Sequence, residues 1–109
     1  MSELDQLTQA ILRFRDARDW AQFHNPKDLA AALAIEAAEL QEAYLWKQSQ
    51  EADAAKVREE LADVVMYALL LAHESKIDLA EAIKAKLLVN EAKYPVDKSK
   101  GRSTKHDQL

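Results

Sequence analysis

Residues 29–46 read LAAALAIEAAELQEAYLW, and this stretch decides the fold. Of its 18 residues, 14 are apolar, and the four exceptions are Glu36, Glu39, Gln41 and Glu42. A helix that is apolar nearly all round has to be buried on nearly all sides, which is more than a lone small bundle can arrange. We therefore expect a homo-oligomer with this helix at its centre.

The residues before this stretch carry the signals of a helix start. Asn25 is a suitable N-cap, Pro26 takes the first helical position and Asp28 lies in the first turn, so we predict a helix from Pro26 to about Gln50. Apolar periodicity and capping residues predict three further helices, over about residues 2–20, 52–75 and 78–93.

Composition supports an all-α fold. The 109 residues include one glycine and two prolines, too few for a P-loop, a dinucleotide-binding loop or a many-stranded barrel. With no cysteine, disulfides, thiolate metal sites and cysteine nucleophiles are excluded. We predict a four-helix bundle that assembles into a homo-oligomer, with one domain over residues 1–94 and a basic C-terminal tail over residues 95–109.

The formal net charge of −4 is unevenly distributed. Residues 1–92 carry 10 Lys and Arg against 17 Asp and Glu, whereas residues 93–109 carry 5 against 2. An acidic body with a short basic tail is unsuited to a nucleic-acid polymer, but it fits a site for metal cations and one small polyanion. The N-terminus lacks the pattern of a signal peptide and the longest apolar run is short, so we expect a cytoplasmic protein with no membrane partner.

Two pairs of acids stand in apolar surroundings. Glu36 and Glu39 are three residues apart and share a helix face, and Glu60 and Asp63 repeat this spacing on the third helix. Burying neighbouring carboxylates is costly unless a positive charge lies between them. Four carboxylates at one point form the all-oxygen environment that Mg²⁺ or Mn²⁺ prefers. One such pair alone is more often an exposed acidic surface, and it is the second pair that indicates a metal site.

Aromatic residues supply a second signal. Trp20 lies where the first helix breaks, and Trp46 follows Glu39 by two helical turns, which places it on roughly the same face. Together with Phe23, His24 and Tyr67, these rings would suit a nucleobase, although tryptophans are more often core or interface anchors.

Polar residues late in the chain are suited to phosphate. Lys86, Asn90 and Lys93 form one stripe on the fourth helix, and the tail carries Arg102 and Lys105 near Gly101. Taken alone, each motif would be read as solvated surface.

With Glu36-Ala-Ala-Glu39 followed by Glu60-Leu-Ala-Asp63, the sequence resembles the MazG-like all-α nucleoside triphosphate pyrophosphohydrolases. The segment from Arg18 to Pro26, RDWAQFHNP, and the ending from Lys93-Tyr94-Pro95 to Lys105 look most like the dCTP pyrophosphatase branch of that family. The resemblance spans nearly the whole chain.

The resemblance implies hydrolysis of a nucleoside triphosphate, dCTP or a related one, to the monophosphate and pyrophosphate. It implies that four acids hold Mg²⁺, namely Glu36, Glu39, Glu60 and Asp63. It implies a base pocket lined by Trp20, His24, Trp46 and Tyr67. It also implies phosphate contacts from Lys86, Asn90, Lys93 and the tail. Members of the family are dimers or tetramers, so we expect a homodimer or a homotetramer formed as a dimer of dimers.

The chemistry assigns Glu39 a further role. Because it lies between the two acidic pairs, it is our first choice for the catalytic residue that orients and deprotonates the attacking water. Two alternatives stay open at the level of sequence. One is a helical oligomer without catalytic activity, and the other is a nucleotide-sensing protein that binds without turnover.

Overall fold

The computed structural model describes residues 1–109 and contains helices and turns but no strands, which confirms the all-α prediction. Five α-helices follow one another along the chain: α1 (Glu3–Ala17), α2 (Pro26–Glu42), α3 (Ala54–Glu74), α4 (Leu79–Lys93) and α5 (Val96–Ser99). Single 3-10 turns occur at Ala21–Phe23, Ser49–Glu51 and His106–Gln108.

Side chains cap the starts of three helices, and one of these caps is the predicted N-cap Asn25. Ser2 and Asp5 form a reciprocal capping box at the start of α1. The Asn25 side chain accepts a hydrogen bond from the backbone N–H of Asp28 at 2.9 Å, with Pro26 in the first helical position. Asp78 accepts from the backbone N–H of Glu81 at the start of α4. Each cap satisfies a backbone donor that has no partner within its helix.

Helix α2 ends earlier than its sequence predicts, at Glu42 and not near Gln50. After Glu42 the backbone N–H groups of Ala43, Tyr44 and Leu45 donate to carbonyls three residues back, at 3.0–3.2 Å, which tightens the last turn. Trp46 then adopts a left-handed conformation with φ 61°, which a helix does not allow. The placement of Trp46 on the helix face of Glu39 was therefore wrong.

A left-handed residue also stops α1, three residues before the predicted end at Trp20. Asp19 has φ 55°, and the N–H groups of Asp19 and Trp20 donate to the carbonyls of Asp16 and Arg15, both at 3.1 Å. This is the Schellman pattern of a helix C-terminus. This motif ends α1 and places Trp20 directly after the helix.

Residues 1–77 form one compact unit. Within it α2 packs mainly against α3, and α1 also contacts α3. Its core consists of Leu12, Leu29 and Leu70, one from each helix, with Ile11, Tyr67 and Leu71 packed around them. Leu29 is the most buried, at 1% exposure.

Residues 78–109 form a second compact unit that contains α4 and α5. No residue of α4 is buried in the chain, and Ile83, Leu87, Leu88 and Val89 are all at least 46% exposed. The Tyr94 and His106 rings of this unit meet edge to face at 5.7 Å. None of the helices has the length and apolar character needed to span a membrane.

Candidate functional site

Three of the four predicted metal-ligating acids converge in the first unit. Glu36 of α2 and Glu60 and Asp63 of α3 each place a carboxylate oxygen within 4.8 Å of the others. Helix α2 packs mainly against α3, and the three-residue spacing places the two acids of each pair on one face of their helix. The structure thus brings together three of the four acids that the sequence proposed as metal ligands.

Two oxygens of this cluster are buried without a hydrogen-bond partner, Oε2 of Glu36 and Oε2 of Glu60. Glu60 is only 6% exposed, and its other oxygen, Oε1, accepts from the Lys56 ammonium at 2.7 Å. An unpartnered buried carboxylate oxygen is costly, because it has lost water and gained nothing in return. One lysine leaves the other acids uncompensated, so the arrangement calls for a further cation.

The protonation of Glu36 reflects the same imbalance. Desolvation raises its pKa above the ordinary value, and a hydrogen-bonding contact with Glu39 and the charges of Glu39, Asp63 and Glu60 raise it further. The pKa of the nearby Tyr67 hydroxyl is also raised, by burial first and then by the charges of Glu36, Asp63 and Glu39. A divalent cation would reverse these repulsions.

Glu39 lies at the edge of the cluster. It is half-buried and contacts the Glu36 carboxyl, but it is not one of the three acids whose oxygens meet. The pKa of the Lys56 ammonium is raised mainly by its hydrogen bond to Glu60 and by the Glu60 charge. The charge of Glu39 raises it further. A carboxylate beside a cluster, and not inside it, keeps an oxygen available for another group.

A cavity of about 220 Å³ opens beside the acids. Glu36 and Asp63 line it together with three of the predicted base-pocket residues, Trp20, His24 and Tyr67. This volume is large enough for a flat heterocycle. The cavity therefore combines acidic and aromatic lining residues.

Among the aromatic lining residues, Trp20 packs edge to face on Phe14, with ring centroids 5.7 Å apart, and remains 44% exposed. The Nδ1 atom of His24 is buried without a hydrogen-bond partner. Burial lowers the pKa of the imidazole, and the nearby Arg15 charge lowers it further, whereas Glu74 acts in the opposite direction. Its surroundings therefore favour the neutral form of the His24 ring.

Trp46 does not reach this cavity within its own chain. It lies in the turn after α2 and is 94% exposed. Phe23, another aromatic candidate, lies in the first 3-10 turn and is 62% exposed.

The predicted phosphate ligands lie in the second unit. Lys86, Asn90 and Lys93 belong to α4, where the two lysines are exposed and Asn90 is half-buried. Arg102 and Lys105 are exposed in the segment between α5 and the last 3-10 turn, after Gly101 with φ 76°.

Sequence reasoning missed Arg15, which lines the cavity and is only 8% exposed. A signal was present, because Arg15 falls three and four residues after Leu12 and Ile11, within the apolar stripe of α1. Ile11, Phe14, Met66 and Leu70 also line the cavity and supply its apolar wall.

Known proteins are similar to this chain in sequence and in fold. A family model described as MazG-like matches residues 31–109. The dCTP pyrophosphatase 1 of Bos taurus is 34% identical over 97% of this chain and 68% of its own length. The dCTP pyrophosphatase 1 of Homo sapiens is 33% identical over 97% of this chain and 67% of its own length. The crystal structure of a pyrophosphatase from Archaeoglobus fulgidus superposes with a TM-score of 0.81 and 38% identity, covering 87% of this chain and 94% of that one.

Proposed function

The chain belongs to the MazG-like family, and we propose that it is a nucleoside triphosphate pyrophosphohydrolase that acts on dCTP or a related deoxynucleoside triphosphate. The products would be the nucleoside monophosphate and pyrophosphate. The observation that carries this proposal is the cavity that Glu36 and Asp63 line together with Trp20, His24 and Tyr67, since one oxygen of Glu36 is buried there without a hydrogen-bond partner.

The donor set fits Mg²⁺, with Mn²⁺ as the second choice. Carboxylate oxygens are the ligands that these hard cations prefer, and two of the oxygens have no other partner. We propose Glu36, Glu60 and Asp63 as ligands, with Glu39 as the fourth acid of the site. When bound, the metal would neutralise the triphosphate and stabilise charge on the leaving pyrophosphate.

In the proposed reaction a water oxygen bonds to the α-phosphorus while the bond from that phosphorus to the oxygen bridging to the β-phosphorus breaks. The electron pair leaves with the pyrophosphate. Glu39 is our candidate to orient the water and accept its proton, because it lies beside Glu36 but outside the tightest group of acids.

Glu39→Gln should bind Mg²⁺ but lose about a hundredfold or more of kcat, the usual contribution of a general base. Glu42→Gln is the matched control, because Glu42 is an exposed acid of the same helix. If Glu39→Gln kept most of the turnover, another group would be the base.

The remaining site residues come from the sequence and the family. We propose that Trp20, His24 and Tyr67 surround the base, and that Trp46 completes the pocket from a neighbouring subunit. Lys86, Asn90, Lys93, Arg102 and Lys105 would bind phosphate oxygens. The division into a domain of residues 1–94 and a tail of residues 95–109 and the cytoplasmic location likewise stay predictions.

We also propose that the active form is a homodimer or homotetramer. Large apolar residues of α2 and α3 remain half exposed or more in the single chain, among them Ile35 at 60% and Leu61 at 51%. Trp46 is 94% exposed in the single chain, and so large an exposed aromatic ring is typical of a surface that another molecule covers.

The decisive experiment is a panel of deoxynucleoside triphosphates incubated with and without Mg²⁺ in water enriched in ¹⁸O. We expect monophosphate and pyrophosphate only with the metal, and the label in the monophosphate. Label in the pyrophosphate would indicate attack at the β-phosphorus, and release of inorganic phosphate would indicate a different phosphatase. Thermal stabilisation by nucleotide and metal without product would support a nucleotide sensor, and neither effect would leave a helical oligomer without catalytic activity.

A further inference from the structure

Arg15 is a buried cation held in place by two carboxylates. Its Nη1 atom donates to Oε1 of Glu74 at 2.6 Å, and its Nε atom donates to Oδ1 of Asp16 at 3.0 Å. Burial lowers the pKa of the guanidinium, but the hydrogen bonds and charges of Glu74 and Asp16 more than offset this, so the pKa is raised overall. The pair joins the last turn of α1 to the end of α3.

The guanidinium belongs to a residue that lines the same cavity as Glu36 and Asp63. Along α3 the lining residues run from Asp63 through Tyr67 to Leu70, and Arg15 pairs with Glu74 one turn beyond. Asp63 and Leu70 are seven residues apart, or about 10 Å along the helix axis. The lining of the cavity along α3 therefore extends well beyond the acids toward the end of the helix.

Arg15 has donors left to offer. A guanidinium carries five N–H groups in a planar fork, and the hydrogen bonds to Glu74 and Asp16 use only Nε and Nη1. The N–H groups of Nη2 remain free. Because two carboxylates already balance the charge, the free donors favour a neutral acceptor over a second anion. The neutral His24 and the apolar wall of Leu70 and Met66 suit an uncharged ring.

We propose that Arg15 is a specificity-determining residue that donates a hydrogen bond to a ring carbonyl of the bound base. The inference rests on the proposed function and adds a selection rule to it. Bases with a ring carbonyl, namely cytosine, uracil, thymine, guanine and hypoxanthine, are accepted, and adenine, which has none, is discriminated against.

The first test uses the wild-type protein with Mg²⁺ and compares dITP with dATP. Hypoxanthine differs from adenine mainly in carrying a carbonyl where adenine has an amino group. A site with a fixed donor rejects a ligand that leaves that donor unpaired. We expect kcat/KM for dITP to exceed that for dATP by about tenfold or more. Equal values would overturn the proposal while leaving the pyrophosphohydrolase activity in place, whereas no turnover of any triphosphate would overturn both.

The second test removes the donor. Arg15→Met keeps the length and apolar stem of the side chain, and replacing a buried ion pair by an apolar group is often tolerated. We expect kcat/KM for dITP and dCTP to fall about tenfold or more, mostly through KM, while the value for dATP changes little. Arg13→Met, an exposed arginine of the same helix, should leave all values unchanged.

A purely structural role for Arg15 gives a different pattern. The activities toward dITP, dCTP and dATP would then fall in parallel, and the selection rule would be refuted. If Arg15→Met fails to fold, as judged by circular dichroism, Glu74→Gln takes its place. That variant keeps the guanidinium but loosens its orientation, so the dITP to dATP ratio should fall; an unchanged ratio would also count against the proposal.

Discussion

Glu36 illustrates how a single residue can weaken the fold for the sake of a ligand. Its raised pKa means that the folded chain disfavours the charged form relative to the unfolded chain. Below the ordinary pKa of 4.5 the carboxyl is neutral in both states and costs nothing. As the pH rises through and above that value, the unfolded chain loses the proton first, and the metal-free protein loses stability.

We expect Glu36→Gln to raise the melting temperature of the metal-free protein by a few degrees at pH 7 and to leave it unchanged at pH 4. The amide removes the repulsion and can donate to Glu60 or Asp63. Thermal melts in a chelator at the two pH values measure this. The same variant should gain no stability from Mg²⁺, in contrast to wild type. A lower melting temperature at pH 7 would mean that the carboxylate stabilises the apo fold.

Trp46 is the second residue whose environment in the single chain does not explain its type. Because the ring is 94% exposed, we expect Trp46→Ala to fold with a melting temperature close to that of wild type. Nucleotide binding should weaken about tenfold or more, since base stacking contributes about 1–3 kcal/mol. Calorimetric titration with a non-hydrolysable triphosphate measures the affinity. An unfolded variant with nothing left to titrate would instead make Trp46 an anchor of the fold or of the assembly.

At the scale of elements, the start of α2 positions the first acidic pair. The Oδ1 atom of Asn25 accepts from the backbone N–H of Asp28, and its Nδ2 atom donates to the Asp28 carboxylate at 2.7 Å. Glu36, which contributes to the acid cluster with residues of α3, lies ten residues after Pro26 in the same helix. Local chemistry at the cap therefore sets the helical register that the site depends on.

Asn25→Ala should lower the free energy of unfolding by about 1 kcal/mol, the usual cost of losing an N-cap. Lys27→Ala, an exposed position in the same first turn, is the control and should have little effect. Urea denaturation followed by circular dichroism gives both values. Equal stabilities for the two variants would show that the cap hydrogen bond adds nothing in this protein.

The scale of the whole molecule is where the single chain is least complete. Its fully buried apolar residues are few, whereas Ile35, Leu61 and Val65 on the two helices of the acid site stay at least 46% exposed. Apolar surface of this extent on a small domain indicates an interface. It supports the proposed assembly around α2 and α3.

We expect Ile35→Glu to convert the assembly to smaller species and to reduce activity together with it, because a charge would be buried at the interface. Gln41→Glu adds the same charge at an exposed polar position of α2 and should preserve the wild-type mass. Light scattering coupled to size-exclusion chromatography measures both. An Ile35→Glu protein of wild-type mass would place the interface elsewhere.

The helical class, the start of each long helix and the presence of two acidic pairs in apolar surroundings could be predicted from the sequence alone. These depend on local chemistry: side-chain caps, the 3.6-residue period and the cost of a carboxylate among apolar neighbours. The ends of α1 and α2 were harder to predict from sequence, because Asp19 and Trp46 take left-handed conformations that neither residue type clearly signals.

The tertiary structure was needed to show which side chains share a cavity. It brought Arg15 from α1 to the end of α3 and separated Glu39 from the three acids that meet. It also left Trp46 outside the cavity of its own chain. Contacts between residues 59 positions apart, such as Arg15 and Glu74, depend on how helices pack, and packing is set by the whole core and not by any local stretch.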